Sequence, residues 1–296
     1  MIRLIDHLHA LGMSNREARD ALNSGKVYYY DAPTGDAARL IDPAKVQVRM
    51  SAKRIILGRD FVVLHKDPSL AVVWKPSGLL SIGARGRAKD PNLISLMARL
   101  YKEAHPVHRL DEGTSGLMMV ALESKAQKLL KEMFFEHSID RRYLAIVRHP
   151  FPKVEKTYDS IFYRNRGDGK RGSLSGEDSD GDEPDGEDQE GKHAVTHVRL
   201  LETLKHDASL VEARLETGRT HQVRIHLAEA GYPILGDGLY GGQGIARASR
   251  RIALHSTYLG FKHPITGQRM TFEAPLADDL EQLRRYLNGE RKFIHD

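Results

Sequence analysis

With 296 residues, 40% of them apolar, the chain can build a large domain with a small companion, and its longest apolar runs, such as Gly116 to Leu122, fall far short of the ~20 residues that span a bilayer. It contains no cysteine, which excludes disulfides, thiol catalysis and every cysteine-bearing zinc or iron–sulfur site. The net charge of +5 hides a more basic body: Glu177 to Glu190 holds 9 acidic residues and no basic one, and outside it 45 basic residues face 31 acidic ones, a net of +14 that suits a polyanion such as nucleic acid.

The opening Met1-Ile2-Arg3-Leu4-Ile5-Asp6-His7 carries charge where a secretory signal needs an unbroken apolar stretch, so a cytoplasmic protein is expected. Leu4, Leu8 and Leu11 recur at helical spacing from Arg3 to Leu11 until Gly12 breaks the pattern. Ser14-Asn15-Arg16-Glu17 has the form of a capping box, and Gly25 closes the helix that it starts. Lys26 to Tyr30 turns to strand composition, Pro33-Thr34-Gly35-Asp36 to a turn, and Lys45 to Val48 to another strand. Arg16, Arg19 and Lys26, on or beside the second helix, read either as a solvated face or as a grip on an RNA backbone.

From about Phe61 the pattern becomes mixed. Strands are predicted at Phe61 to Leu64, Leu70 to Trp74, Gly116 to Leu122, Tyr143 to Val147, Val195 to Leu201, Leu210 to Leu215, Ile252 to Leu259 and Met270 to Phe272. Helices are predicted at Asn92 to Tyr101, Lys125 to Glu136 and His221 to Ala230, with Ser124 and Gln127 as a second capping box. Successive strands with short links and no regular βαβ alternation argue for an α+β fold with a largely antiparallel sheet. The segment 164–192, rich in Gly, Ser, Asp and Glu, cannot bury enough surface to order itself and reads as a disordered acidic insertion.

Three stretches place polar groups beside glycine turns and apolar strands: His108-Arg109-Leu110-Asp111-Glu112-Gly113-Thr114-Ser115-Gly116-Leu117, then Arg142-Tyr143-Leu144-Ala145, then Thr217-Gly218-Arg219-Thr220-His221-Gln222-Val223-Arg224-Ile225-His226. The first offers one carboxylate on a turn before a buried strand. The third gathers His221 and Arg224 near a helix start, where backbone amides favour phosphate or a carboxylate. Neither fixes a reaction, since a lone Asp is more often a cap or salt-bridge partner than a catalyst. Gly236 to Gly241 formally fits GxGxxG but lacks the strand-to-helix setting of a dinucleotide site, and His221 and His226, five apart, miss the spacing of a helical metal pair. No cofactor and no metal are expected.

The order of a helix, a Ser-Asn-Arg-Glu-Ala-Arg helix, Gly-Lys-Val and a strand resembles an S4 RNA-binding domain, with Tyr28 to Asp31 in place of that family's Val-Asn-Gly. The three stretches above, in their order, resemble the RluA family of pseudouridine synthases, as do Val73-Trp74-Lys75-Pro76-Ser77-Gly78-Leu79 upstream and Phe261-Lys262-His263-Pro264 downstream. The resemblance covers about Phe61 to Leu287; Trp74 departs from it, standing where the family often has a small or acidic residue. It implies an S4-like module over 1–52 and a catalytic domain over 53–296 that turns uridines of structured RNA into pseudouridine, with ribosomal RNA ahead of tRNA, acting as a monomer. It further implies Asp111 as the catalytic carboxylate, Arg224 as its cationic partner, Tyr143 against the flipped base and Arg109 in the gap that base leaves. Lys75, His108, Arg219 and His221 join Arg16, Arg19 and Lys26 as expected RNA contacts, His108 also shaping its turn. Whether Asp111 attacks ribose C1′, attacks uracil C6 or abstracts a ribose proton stays open. A non-catalytic RNA-binding factor and an S4-containing methyltransferase are the rival readings; intact Asp111, Tyr143 and Arg224 disfavour the first, and the lack of a glycine-rich methyl-donor site the second.

Overall fold

A computed structural model describes residues 2–23, 26–29, 32–33, 40–48, 61–84, 86–87, 90–165, 170–173 and 191–290. Gly25, the turn from Thr34, the expected join between residues 52 and 53, and the acidic run 174–190 lie outside these residues. The chain divides into two compact units: Met1–Glu112 with Gly116–Lys131 and Glu273–Pro275, and Gly113–Ser115 with Glu132–Phe272 and Leu276–Asp296. No described helix is long and apolar enough to cross a membrane.

The first unit begins with strand β1 (Ile2–Arg3), helices α1 (Leu4–Ala10) and α2 (Asn15–Asn23), and short strands β2 (Val27–Tyr29), β3 (Ala32–Pro33), β4 (Leu40–Ile41) and β5 (Val46–Val48). Leu4, Leu8, Ala18, Ala21, Leu22, Val27 and Ile41 form one buried cluster, so two of the three spaced leucines share a buried face, whereas Leu11 lies just past the end of α1 and is exposed. The capping box forms as expected: Ser14 Oγ accepts from Glu17 N at 3.3 Å while the Glu17 carboxylate accepts from Ser14 N at 2.9 Å.

The same unit continues with β6 (Val62–Lys66), β7 (Leu70–Lys75), α3 (Leu93–Leu100), β8 (His105–Pro106), β9 (Ser115–Ala121) and α4 (Ser124–Phe135). β7 pairs antiparallel with β6 on one side and β9 on the other, Lys75 facing Gly116. All seven residues of β9 are buried, which explains its unbroken apolar run. The capping box expected of Ser124 and Gln127 does not form. Gln127 N donates to Glu123 O, the Ser124 hydroxyl turns to Glu103 Oε2 at 3.2 Å, and the Gln127 amide reaches Pro106 O, because these nearby acceptors outcompete the local box.

The second unit holds β10 (Asp140–Arg148), β11 (Lys156–Phe162), β12 (Lys192–Leu204), β13 (Ala208–Leu215), α5 (Gln222–Glu229), α6 (Gly242–Ala246), β14 (Leu254–Lys262), β15 (Arg269–Glu273) and α7 (Asp278–Leu287). Its strands lie in the order β11-β12-β13-β10-β14, with β15 beside β14. The β11–β12, β12–β13, β13–β10 and β10–β14 ladders are all antiparallel, as the α+β reading expects. Tyr143 faces Ala213 and, across a register shift between Arg142 and Tyr143, Ser256. Leu280, Leu283 and Leu287 seat α7. Arg251 ties its first turn down, holding Asp279 with two bonds of 2.6 and 2.7 Å while its Nη1 reaches the carbonyls of Gly113, Ile252 and Leu254.

Candidate active site

The loop that carries Asp111 is fixed through its backbone. Lys75, at the end of β7, is fully buried and its Nζ donates to the carbonyls of Pro76 (2.8 Å), Leu79 (2.7 Å) and Glu112 (3.3 Å). The amide of Gly78 also donates to Glu112 O, from a left-handed backbone (φ 85) that suits glycine. On the other side of Asp111, Ser81 Oγ donates to Leu110 O at 2.7 Å and accepts from Leu110 N at 3.0 Å, a reciprocal bridge that fixes both backbone polar atoms of Leu110. Arg87 adds a bidentate pair with Glu112 at 2.9 and 3.1 Å and holds Asp90 as well. Asp111, partly exposed, thus lies between two residues whose backbones are clamped.

His108 Nε2 accepts from Met119 N at 2.8 Å, which puts its ring proton on Nδ1. That bond serves β9 just where β8 has left it, so His108 shapes the turn. Arg109 is exposed. Lys75 departs from the expectation of an RNA contact: it is buried and spends its donors on carbonyls of its own loop, so its part is to hold the loop.

The second unit builds a different corner around α5. Six successive residues of this helix, Gln222 to Leu227, are buried, so its polar side chains need partners inside the protein. Gln222 Oε1 accepts from Thr217 Oγ1 and Arg219 N, both at 2.8 Å, while its amide donates to Val195 O and Thr196 Oγ1. His226 takes Thr196 on Nδ1 and Ser160 on Nε2, each at 2.9 Å. The Thr196 hydroxyl, which accepts from Gln222, still has a proton and a second lone pair for Nδ1, and Ser160 likewise serves Nε2 as donor or acceptor, so both ring nitrogens are satisfied. Burial drives the His226 pKa down to about 4, Asp159 opposing only weakly, so the ring is neutral.

Arg224 forms a buried pair with Asp237, Nε and Nη2 donating at 2.8 and 3.0 Å, and its guanidinium lies 5.2 Å from the Tyr240 ring centre. Asp237 also accepts from the amides of Leu239 and Tyr240. The turn that presents it needs glycine at 236, where φ is +81 and an added Cβ would collide with the carbonyl oxygen of Arg251. His221, itself left-handed at φ 60, bonds the Tyr240 hydroxyl through Nδ1 at 3.0 Å. Arg219 is partly exposed, its Nε donating to His193 O. Tyr143 is buried to 8% exposure in β10.

Of the residues singled out in the sequence, Lys75, His108, Arg109 and Asp111 therefore gather at one loop cluster of the first unit. Arg219, His221 and Arg224 share the start of α5, the last two meeting at Tyr240. Arg16 and Arg19 stand exposed on α2, with Lys26 partly buried beyond its end. Sequence reasoning missed Ser81, Arg87 and Asp237 as holders of these groups. Asp237 had a signal, since it lies in the glycine-rich stretch that mimics a dinucleotide motif; Ser81 and Arg87 had none, because the residues they hold beside Asp111, Leu110 and Glu112, lie more than twenty residues away.

A family model for RNA pseudouridylate synthase matches residues 69–229. The ribosomal large subunit pseudouridine synthase D of Zymomonas mobilis is 37% identical over 241 residues, 76% of this chain and 72% of that protein. An uncharacterized RNA pseudouridine synthase of Mycobacterium bovis is 32% identical over 95% of this chain and 92% of its own length. Among solved structures, human RNA pseudouridylate synthase domain containing 1 superposes with a TM-score of 0.59 at 25% identity, covering 73% of this chain and 83% of the human one. With a family model matched over more than half its length and relatives aligned over most of theirs, the chain belongs to the RNA pseudouridylate synthase family and is an isomerase of RNA uridine.

Proposed function

We propose that the protein isomerises specific uridines of structured ribosomal RNA, with the Asp111 carboxylate as the catalytic group. The observation that carries the reading is the double clamp on the Asp111 loop: a carboxylate that must meet a reacting atom is useful only if its backbone cannot drift, and both flanking residues are pinned. The target nucleotide leaves its stack, Arg109 fills the gap and Tyr143 lies against the base. The bond from ribose C1′ to N1 breaks, the uracil turns, and a bond from C1′ to C5 forms; C5 gives up its proton and N1 ends protonated, so atoms balance without any co-reactant. Asp111 acts as a carboxylate, and Arg224, its guanidinium oriented by Asp237, is the cationic partner that the family resemblance assigns to it.

In this reading residues 1–52 form an S4-like module that holds the RNA through Arg16, Arg19 and Lys26, and Arg219 and His221 grip phosphate beside α5. The relative in Zymomonas mobilis is named for the large ribosomal subunit, which favours ribosomal RNA over tRNA. The protein acts as a monomer in the cytoplasm. The test is tritium release from C5-tritiated ribosomal RNA and tRNA by the wild type and by Asp111→Asn. Release from ribosomal RNA that vanishes in the variant is expected; no release from either RNA, or full release by the variant, overturns the reading.

A further inference from the structure

At the end of the second unit's sheet lies a recess of about 460 Å³ that none of the roles above uses, walled by His137, Ser138, Asp140, His193, Arg214, Glu216 and their neighbours. It opens where β10 begins and β13 ends, three residues along β10 from Tyr143, roughly 10 Å at strand rise.

The charges around it are unbalanced. Each nearby carboxylate already has a hydrogen-bond partner that turns it from the recess: Asp140 the Arg142 guanidinium at 2.8 Å, Glu216 the His197 ring at 2.6 Å, and Asp159 the His193 ring at 2.6 Å. Arg214 is exposed and directly faces Arg142 on one side and His197 on the other in the strand register. Like charges set opposite one another destabilise a sheet unless an anion lies between them, and among the described residues Arg214 has no ion pair. Beneath the wall sits Arg141, 5% exposed. Its Nη2 donates to the carbonyls of Glu216 and Thr217, its face rests on Phe134 and its Nε has no hydrogen-bond partner. A buried guanidinium held only by neutral groups leaves its field uncompensated. Burial, then the charges of Arg141 and Arg219, hold the His137 imidazole below its ordinary range, a sign of the same positive potential. His137 also ends α4 in a left-handed conformation (φ 57), a position where glycine costs least.

We propose that this recess binds a backbone phosphodiester of the RNA outside the target nucleotide, with Arg214 and His137 as its direct contacts and Arg141 supplying charge from below. The proposal rests on the RNA-modifying reading above and adds to it a second anchor.

The test compares wild type, Arg214→Ala, Arg214→Lys and His137→Gly by tritium release and by RNA binding as a function of salt. His137→Gly removes the ring while easing the backbone, so loss of fold does not confound it. Expected for Arg214→Ala and His137→Gly is a KM raised about five- to tenfold with kcat within twofold. The logarithmic salt slope should fall by about 0.7 to 0.9 in Arg214→Ala, which removes a charge, and stay near wild type in His137→Gly, which removes only an uncharged donor; lysine at 214 should restore it. An unchanged KM and slope, or a loss confined to kcat, overturns the proposal. Inorganic phosphate probes the other source of the same chemistry: tight phosphate binding lost in Arg214→Ala, with an unmoved RNA slope, would make the recess a site for a small phosphorylated molecule and overturn the RNA assignment. Binding measured on Asp111→Asn protein reads the recess even if no RNA is turned over, so the two readings fail separately.

Discussion

The Asp111 loop and the Arg224 corner are both rigid, yet they are held by different means. The loop is gripped by its backbone: Lys75, Ser81 and Gly78 bond the peptide groups of Leu110 and Glu112. At the corner the side chain is itself the object held, Arg224 being locked to Asp237 with both groups buried. The first arrangement separates position from reactivity, because the bonds on Leu110 and Glu112 run to peptide groups and survive a change of the carboxylate. The second fuses them, so the atoms proposed to act are the same ones that carry stability.

That contrast can be broken by experiment. Asp111→Asn should lower kcat by about a thousandfold or more while the melting temperature stays within about 2 °C of wild type; a large loss of stability would mean that the side chain also holds the loop. Asp237→Ala should do the reverse at first sight, costing about 3–5 kcal/mol in denaturant unfolding because it strands a buried guanidinium. Replacing both partners, Arg224→Met with Asp237→Leu, should recover most of that stability and none of the turnover. If the single variant unfolds like wild type, the pair is not the corner's support.

The pH dependence of unfolding tests the neutral ring below this corner. With a folded pKa of about 4 against about 6.5 unfolded, His226 binds fewer protons in the native state than in the unfolded one across that window. Its contribution is therefore fully present above about pH 6.5 and is lost as pH falls towards 4, by about 3 kcal/mol in all. His226→Gln should flatten that limb, and an unchanged pH profile in the variant would show that other groups set it. The smallest effect is expected for Ser81→Ala, which strips partners from Leu110 N and O: about 1–2 kcal/mol in stability and about a tenfold fall in kcat with KM steady. A shift in KM alone would contradict a positioning role.

Much of this was legible in the sequence, and what escaped has a physical cause. Alternation and apolar runs located β7, β9, β10, β13 and β14 because each buries a face that a period can report. β11 was missed since only Phe162 at its end is buried, and α7 because it opens just after Pro275 and seven of its ten residues are polar or aromatic, leaving three leucines to report its buried face. The Ser14 box held while the Ser124 box failed. The letters are equivalent, but only Ser124 has Glu103 and His105 beside it in space. Lys75 shows the same limit: a motif names the lysine, and only the packing of its own loop turns it from a surface contact into a buried brace.

Arg251 has a consequence for how the protein comes into being. Its bonds reach back 138 residues to Gly113, two positions after Asp111, and forward to Asp279 in the first turn of α7. Domains assemble in the order in which ribosomes deliver them. The stretch that follows the proposed catalytic carboxylate therefore receives its last fastening only after nearly the whole polypeptide has been made. A nascent chain halted before Asp278 should lack the Asp279 bonds that hold Arg251 against Gly113 and turn over RNA more slowly than one that includes α7. Tritium release by chains arrested before and after α7 would measure that difference, and equal rates from the two would refute it.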